Sequence, residues 1–193
     1  MRVISGSKRG AALKAPEGLS TRPTTDRIKE SLFNILAPDL KDCVFLDLFS
    51  GSGGMGVEAL SRGGKLSVFV DKDKKALSCI KQNISKTGFE DKSLVLASDY
   101  KQALKMLAAK GIKADIIFAD PPYYSDFIEN ILDEIEISGI LNNEGLIVIE
   151  QAKDEPEVKS AGFFLYRIKD YGKTTKMSFF KKAGLKTEEE KEC

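Results

Sequence analysis

The sequence predicts an α/β fold in which a mostly parallel sheet carries helices on both faces. Through the middle of the chain, apolar runs alternate with amphipathic stretches of helical length, which is typical of repeated βαβ units. The run at residues 116–119 is apolar throughout, as expected of a strand that is buried on both faces. A length of 193 residues suits one domain with a small appendage.

The predicted elements follow one another in a regular order. Residues 2–5 and 11–14 flank a turn rich in Gly, Lys and Arg and predict a small hairpin. Thr24 or Thr25 then caps a helix that runs to about Leu36. Five strands are predicted after it, at residues 44–48, 66–71, 93–97, 115–120 and 146–150. Helices are predicted between them, near residues 54–62, 73–87, 100–110 and 125–138.

The last part of the chain breaks this alternation. Two strand-like segments at residues 163–169 and 175–181 flank a turn at residues 170–173, and they predict an antiparallel hairpin that brings the sheet to seven strands. The predicted organisation has an N-terminal hairpin extension, a main domain and a charged tail that is expected to be disordered, at residues 1–22, 23–182 and 183–193.

Composition excludes several kinds of chemistry. The sequence contains no histidine, so it offers no imidazole base, no Ser-His pair and no histidine-bound metal. Its three cysteines form no CxxC pair, so neither a metal site nor a disulfide framework is predicted, and Cys43 is expected to be a buried thiol. The sequence shows no apolar run of roughly 20 residues and no signal-peptide core, so a cytoplasmic protein without a membrane partner is expected.

The net charge of +1 hides an uneven distribution. Residues 1–30 hold seven Lys/Arg against three Asp/Glu, and residues 164–182 hold six against one. Residues 31–163 hold fifteen against twenty-one. Each basic segment alone reads as an ordinary solvated surface, but both could face a polyanion. Their presence beside a motif that handles nucleobases favours the polyanion.

A glycine-rich turn after the first strand predicts a ligand site. Gly51, Gly53 and Gly56 form a GxGxxG pattern, and Asp71 ends the second strand twenty residues after Gly51. This pattern fits NAD, whose ribose an acid would bind. Asp47, however, ends the first strand, where a carboxylate is unsuited to a pyrophosphate and suited to the ammonium group of S-adenosylmethionine.

A third acid also fits S-adenosylmethionine, which has an ammonium group, a ribose and an adenine but no phosphate. Asp99 follows the third strand and could accept a hydrogen bond from the adenine amino group. Alternatively, each of these acids only caps a helix or a turn. For Asp99 alone the two interpretations are evenly balanced, whereas acids after three successive strands favour the ligand.

The segment Asp120-Pro121-Pro122-Tyr123 follows the fourth strand, at the edge where open α/β sheets bind ligands. Two prolines stiffen the loop and remove two backbone donors, so the Asp120 carboxylate and the Pro121 carbonyl can accept both hydrogens of an exocyclic amino group. Tyr123 can stack on a flat base. Such a loop aligns a weakly nucleophilic nitrogen with a methyl donor, which predicts an amino-methyltransferase. The loop by itself does not distinguish guanine from adenine.

With these motifs the chain resembles the RsmD-type 16S ribosomal RNA guanine-N2 methyltransferases, which have the Rossmann-like class I fold of S-adenosylmethionine-dependent methyltransferases. The resemblance covers about residues 1–182 and includes the glycine turn and the Asp-Pro-Pro-Tyr loop. Two segments narrow the choice to this family, namely Arg22-Pro23-Thr24-Thr25-Asp26-Arg27 and Tyr171-Gly172-Lys173-Thr174.

The resemblance implies a role for each matching position. The cofactor S-adenosylmethionine, which becomes S-adenosylhomocysteine, would be held by Asp47, Phe49, Ser50, Gly51, Gly53, Asp71, Lys72, Asp99 and Tyr100. Arg22 and Thr24 would lie over the site entrance as part of the same set. The guanine would be held by Asp120, Pro121, Pro122 and Tyr123. Two departures are Ser50, where alanine is usual, and Gln151, where histidine is expected after Glu150.

The implied partner is 16S ribosomal RNA, either naked or within an assembling small subunit, and a monomer is expected. A target guanine must leave its stack to reach such a site. Two kinds of rival stay open: another amino-methyltransferase that acts on DNA bases or a protein glutamine, and an NAD-dependent oxidoreductase. DNA enzymes usually carry a separate recognition domain, for which 193 residues leave little room, and glutamine enzymes usually have Asn in place of Asp120.

Overall fold

The computed structural model describes residues 1–16, 26–122 and 127–184. Its α-helices lie at Asp26–Ile35 (α1), Gly54–Ser61 (α2), Lys74–Thr87 (α3), Tyr100–Ala109 (α4) and Phe127–Ser138 (α5). Its strands lie at Val44–Asp47 (β1), Leu66–Asp71 (β2), Ser93–Ala97 (β3), Ala114–Ala119 (β4), Leu141–Ala152 (β5), Phe163–Tyr171 (β6) and Thr175–Lys182 (β7). Within these three ranges, no helix is both long and apolar enough to cross a membrane. Thr24, Thr25 and most of the predicted tail lie outside the described residues.

The strands form one seven-stranded sheet in the order β3-β2-β1-β4-β5-β7-β6. The first five strands of this order pair in parallel, and β7 pairs antiparallel with both β5 and β6. The direction of the strand order reverses between β1 and β4, and open α/β sheets leave a crevice at the carboxyl ends of such strands. The predicted parallel sheet with an antiparallel C-terminal hairpin is confirmed.

Helices cover both faces of the sheet. On one face, α4 and α5 pack through apolar side chains such as Leu104 and Leu132. On the other face, α1, α2 and α3 bury Phe33, Val57 and Ile80. Successive residues of β4 point to opposite faces of the sheet, and both faces are covered by apolar side chains, which is why residues 116–119 are apolar without interruption.

Strand β5 is longer than its sequence predicts. The apolar run begins at residue 146, but the chain is already extended from Leu141, where the Asn142 side chain donates a hydrogen bond to Asp115 at 2.5 Å. The pairing of β4 with β5 shifts register between Ala114 and Ile116. Residues 142–144 are half-buried or exposed, so this first part of β5 can be polar. The hairpin turn is also displaced, because β6 continues to Tyr171 and the predicted turn began at residue 170.

The N-terminal segment forms the predicted small hairpin, although only one antiparallel bridge, between Arg2 and Ala12, joins its two sides. The hairpin is held on α2 by the carboxylate of Glu58. This carboxylate accepts hydrogen bonds from the backbone N–H groups of Ile4 at 2.8 Å and Ser5 at 3.0 Å. The hairpin is therefore anchored to the main domain by a side chain that is fully buried.

Glu58 also joins α1 to α2. Its carboxylate lies 3.4 Å from the ammonium group of Lys29, which is 1% exposed, and 2.8 Å from the Arg62 guanidinium. Lys29 in turn donates a hydrogen bond to the backbone oxygen of Arg2 at 2.6 Å. Buried charges need partners of this kind. One carboxylate thus connects the hairpin with the two helices beside the cleft described next.

Candidate active site

A cleft of about 1100 Å³ opens at the carboxyl edge of the sheet, beside the point where the strand order reverses. Its wall includes the turn after β1, the end of β2, the loop after β4 and the end of β5. Among the predicted site residues, the cleft is lined by Asp47, Phe49, Ser50, Gly51, Asp71, Asp120, Pro121 and Pro122. Arg22, Thr24 and Tyr123 lie outside the described residues.

The glycine-rich turn adopts backbone conformations that favour glycine. Gly51 has a φ of 52° and Gly53 a φ of 76°. A Cβ atom on Gly51 would meet nothing within 4 Å, so its backbone is open to a ligand, whereas one on Gly53 would contact the Phe69 ring at 3.3 Å. Gly53 therefore shapes the turn without lining the cleft. A Cβ on Gly56 would approach Phe69 to 2.3 Å, so this glycine lets α2 pack closely on β2.

Ser50 connects the turn to the neighbouring strand. Its hydroxyl donates a hydrogen bond to the backbone oxygen of Asp47 at 2.9 Å and accepts one from the backbone N–H of Val70 at 2.9 Å. Alanine at this position could make neither bond. The departure from alanine therefore adds two hydrogen bonds that hold the ends of β1 and β2 together.

Asp47 is a buried carboxyl without a partner. Its side chain is 1% exposed and lines the cleft, and neither of its oxygens has a hydrogen-bond partner within the part of the chain that the structure describes. Burial, followed by the charge of Asp71, raises the pKa of Asp47 to about 8, and nearby backbone N–H groups of Gly56 and Phe49 offset only part of the rise. A cation in the cleft would let this carboxyl ionise.

Asp71 connects the end of β2 to the glycine turn. Its carboxylate accepts hydrogen bonds from the backbone N–H groups of Gly51 at 2.8 Å and Asp73 at 2.9 Å, one on each oxygen. Each oxygen has a second lone pair, so the carboxylate can still accept from ribose hydroxyls. Lys72, which follows it, is exposed and does not line the cleft.

Aromatic rings extend the cleft wall beyond the turn. The Phe49 ring lines the cleft and lies 5.6 Å from the Tyr100 ring and 6.3 Å from the Phe127 ring, measured between centroids. Tyr100 itself is one ring away from the cleft. Asp99 is exposed, and its side chain accepts a hydrogen bond from the backbone N–H of Gln102 at 3.1 Å as the N-cap of α4. Asp99 thus has the capping role that the sequence left open, and its contact with adenine stays a prediction.

Asp120 follows β4 and lines the same cleft as Asp47. Burial raises the pKa of Asp120 well above its ordinary value, and the negative charges of Glu150 and Asp47 raise it further. Pro121 is buried and Pro122 is exposed. Three carboxyl groups from β1, β4 and β5 therefore lie together, in an arrangement that favours ligands with positive charge or several N–H donors.

Comparison with known proteins identifies the family. The family model described as "Conserved hypothetical protein 95" matches residues 1–181. This chain belongs to that family. YlbH of Bacillus subtilis (strain 168), provisionally named as an rRNA methyltransferase, is 40% identical over 184 residues, which are 95% of this chain and 100% of YlbH. "Ribosomal RNA small subunit methyltransferase D" of Escherichia coli (strain K12) is 36% identical over 150 residues, which are 78% of this chain and 74% of that protein.

Solved structures share the fold of this member of the Conserved hypothetical protein 95 family. The Escherichia coli protein yhhF, provisionally described as a methyltransferase, superposes with a TM-score of 0.80 at 34% identity, over 95% of this chain and 98% of yhhF. A hypothetical protein from a Thermus species superposes with a TM-score of 0.79 at 31% identity, over 94% of this chain and 99% of its own. The Rossmann-like methyltransferase fold and the family resemblance that the motifs indicated are both confirmed.

Several residues that line the cleft of this family member were missing from the predicted site. Glu150 and Tyr171 both line the cleft. Gln151 instead is 2% exposed and accepts a hydrogen bond from the Ser178 hydroxyl at 2.7 Å, away from the cleft. Because successive residues of a strand face opposite sides, Glu150 faces the cleft and Gln151 packs behind it. An acid that ends an apolar strand, as Asp47 does, is the sequence signal that would have indicated Glu150.

Proposed function

We propose that this chain transfers a methyl group from S-adenosylmethionine to the exocyclic N2 amino group of a guanine in 16S ribosomal RNA. Methyl transfer to ribosomal RNA is the activity in the names of the two relatives described above. That the methylated base is a guanine and the acceptor its N2 atom goes beyond what these names state. The observation that carries it is the presence of Asp47 and Asp120 in one cleft, the first suited to a cation and the second to an amino group.

The cleft offers suitable groups to three parts of S-adenosylmethionine, namely its ammonium group, its ribose and its adenine. The unpartnered Asp47 carboxyl would pair with the ammonium group, and Asp71 would accept from the ribose hydroxyls. Phe49, with Tyr100 behind it, offers an apolar surface for the adenine. When bound, this cofactor supplies an electrophilic sulfonium methyl group. Arg22, Thr24 and Lys72 keep the cofactor roles that the resemblance implies as predictions.

The acceptor end of the cleft suits a planar amino group. The Asp120 carboxylate and the Pro121 carbonyl would accept its two hydrogens and turn the nitrogen lone pair toward the methyl donor. Because burial and neighbouring charges raise the pKa of Asp120, this carboxyl is a stronger base than an ordinary aspartate. It is therefore suited to stabilise the positive charge that develops on the nitrogen.

Two observations disfavour an NAD-dependent oxidoreductase and a protein-glutamine methyltransferase. A buried carboxyl in the glycine turn is unfavourable beside a pyrophosphate, so Asp47 disfavours NAD. Lys169 and Lys173 of the C-terminal hairpin line the cleft mouth, where they would contact phosphates of a nucleic acid. Calorimetry with S-adenosylhomocysteine and with NAD separates the two ligands: binding of NAD without binding of S-adenosylhomocysteine would overturn the proposal.

The substrate is tested by methylation with labelled S-adenosylmethionine. Ribosomal RNA and small subunits from a strain that lacks this protein are both offered, and the products are digested to nucleosides. We expect label in N2-methylguanosine, and label in adenosine or only in protein would contradict the proposal. Asp120→Ala should lower the rate by at least about 100-fold. Its affinity for S-adenosylhomocysteine should change by less than about threefold, since Asp120 contacts the acceptor and not the cofactor.

A further inference from the structure

The cleft contains two polar groups that the proposed reaction does not use. Glu150 is 6% exposed and Tyr171 is 9% exposed, and both line the cleft. The Tyr171 hydroxyl makes no close hydrogen bond within the described part of the chain, and the Ser31 side chain, which lowers the pKa of this hydroxyl, offsets only part of the rise that burial causes. A buried hydroxyl without a partner is unfavourable, so its position in a cleft points to a ligand that uses it.

The sheet places these groups in a row with Asp120. Asp120 follows β4, Glu150 lies in the neighbouring β5, and Tyr171 ends β6 on the far side of β7. Thr175 of β7 pairs with both Ala152 and Tyr171, which brings the end of β6 level with the end of β5. The row therefore runs in the order Asp120, Glu150, Tyr171 along one edge of the sheet.

The pKa shifts of Asp120 and Tyr171 are consistent with a position of Glu150 between them. Burial raises the pKa of Asp120 first of all, and the charge of Glu150 is the next cause. Burial likewise raises the pKa of the Tyr171 hydroxyl; Ser31 and Arg167 oppose that rise, and the charge of Glu150 adds a smaller contribution to it. Glu150 is thus close enough to act on both neighbours.

The Watson–Crick edge of guanine has the matching pattern. It presents two donors and an acceptor in order: the N2 amino group, the N1–H group and the O6 atom. We propose that Glu150 selects guanine by accepting the N1–H hydrogen bond, while Asp120 holds the N2 amino group and the Tyr171 hydroxyl donates to O6. This inference rests on the proposed function, and it assigns the guanine specificity that the Asp-Pro-Pro-Tyr loop alone does not provide.

Adenine has the opposite pattern at the same positions. It presents an amino group where guanine has O6, so the donor of Tyr171 would face another donor. It presents an N1 lone pair where guanine has N1–H, so the Glu150 carboxylate would face an acceptor. A site built around hydrogen bonds rejects such an analogue strongly, because a donor then faces a donor and an acceptor faces an acceptor.

The test uses 2-aminopurine, which keeps the reacting amino group but has an acceptor at N1 and no O6. After labelling has located the methylated guanine, ligation yields ribosomal RNA with either base at that position. We expect the wild-type kcat/KM to be at least about 100-fold lower for 2-aminopurine. The neutral amide of Glu150→Gln accepts from N1–H more weakly than a carboxylate and can donate to the N1 lone pair of 2-aminopurine, so its activity on guanine should fall and its guanine preference should shrink at least tenfold. Glu144→Gln, an exposed change in the same strand, should keep the wild-type preference.

The same measurements distinguish a failure of guanine selection by Glu150 from a failure of the proposed guanine methylation. If Glu150→Gln keeps the wild-type preference, the inference is overturned, whereas the proposed function stands as long as wild type methylates guanine. If wild type methylates no guanine, both fail. Should Glu150→Gln not fold, Tyr171→Phe supplies the answer: it should lower kcat/KM on guanine about tenfold and leave 2-aminopurine unchanged, because that base lacks O6. An equal loss on both bases would contradict the inference.

Discussion

Replacing Asp47 with asparagine should make the free protein more stable. The pKa of this carboxyl rises from 3.8 to about 8, chiefly through burial. Between those pH values the folded chain keeps a proton that the unfolded chain has released. The free energy of unfolding therefore falls by about 1.4 kcal/mol for each pH unit in that window. Up to pH 7 the loss is about 4 kcal/mol as an upper bound, and asparagine, which does not ionise, avoids it.

The affinity for the cofactor should rise with pH, whereas the stability of the free protein falls, because both depend on the ionisation of Asp47. Asp47 must ionise to pair with an ammonium group, and a pKa of about 8 leaves it mostly protonated at pH 7. The wild-type affinity for S-adenosylhomocysteine should therefore rise roughly tenfold from pH 6 to pH 7, about fivefold more from pH 7 to pH 8, and level off above pH 8. Binding at pH 7 should release close to one proton. Asp47→Asn should bind weakly, with an affinity that does not change over this range.

Two measurements check these expectations together. Thermal unfolding at pH 5, 6, 7 and 8 gives the stability of each variant, and calorimetric titration in two buffers of different ionisation enthalpy gives affinity and proton release. Asp91→Asn, an exposed change, serves as the control and should match wild type in both. The reasoning is refuted if wild type loses no stability relative to Asp47→Asn as pH rises, or if its affinity for S-adenosylhomocysteine is independent of pH.

Two further substitutions test how the cleft is built. Glu58→Gln leaves the buried ammonium group of Lys29 without its charge partner, so the free energy of unfolding in urea should fall by about 3–5 kcal/mol, and amide exchange in the N-terminal hairpin should become faster. Gly56→Ala places a methyl group within 2.3 Å of the Phe69 ring, so it should cost about 1–3 kcal/mol in the same assay.

For each of these two substitutions, unchanged stability would contradict the expected role of the residue. If Glu58→Gln unfolds at the same urea concentration as wild type, the hairpin is held by apolar contacts of Val3 and by the hydrogen bonds of Ser61, and not by the buried carboxylate. Glu90→Gln, an exposed change, controls for the loss of one negative charge. Unchanged stability in Gly56→Ala would show that the Phe69 ring moves aside at little cost.

The sequence predicts the part of the cleft that depends on local pattern. Strands buried on both faces must be apolar throughout, so an acid such as Asp47 or Asp71 stands out where such a strand ends. Parallel strands end at the same edge, and acids far apart in the sequence are therefore expected to converge. The alternation of strands and helices supplies that parallel order, which is why the glycine turn and the Asp120 loop were predicted to meet.

The missed residues depend on pairing that local pattern does not reveal. Tyr171 reaches the cleft only because β7 lies between β5 and β6 in the sheet, an order set by contacts between distant segments. The role of Asp99 was ambiguous for a different reason. An aspartate after a strand is expected both for capping α4 and for binding a ligand, so the residue type alone does not separate the two roles. The start of β5 was missed because a register shift, which has no local sequence signature, continues the strand through polar residues.

The carboxyl groups of the cleft predict that the cofactor must bind before Asp120 can accept the amino group well. In the free protein, burial and mutual repulsion raise the pKa of Asp120, which therefore favours its protonated form and accepts hydrogen bonds less well. Because Asp47 ionises when it pairs with the ammonium group, that pair adds no net charge, and it is the sulfonium group of S-adenosylmethionine that would lower the pKa of Asp120 and favour its ionised form. The acceptor site for the amino group would then be complete only after the cofactor has bound.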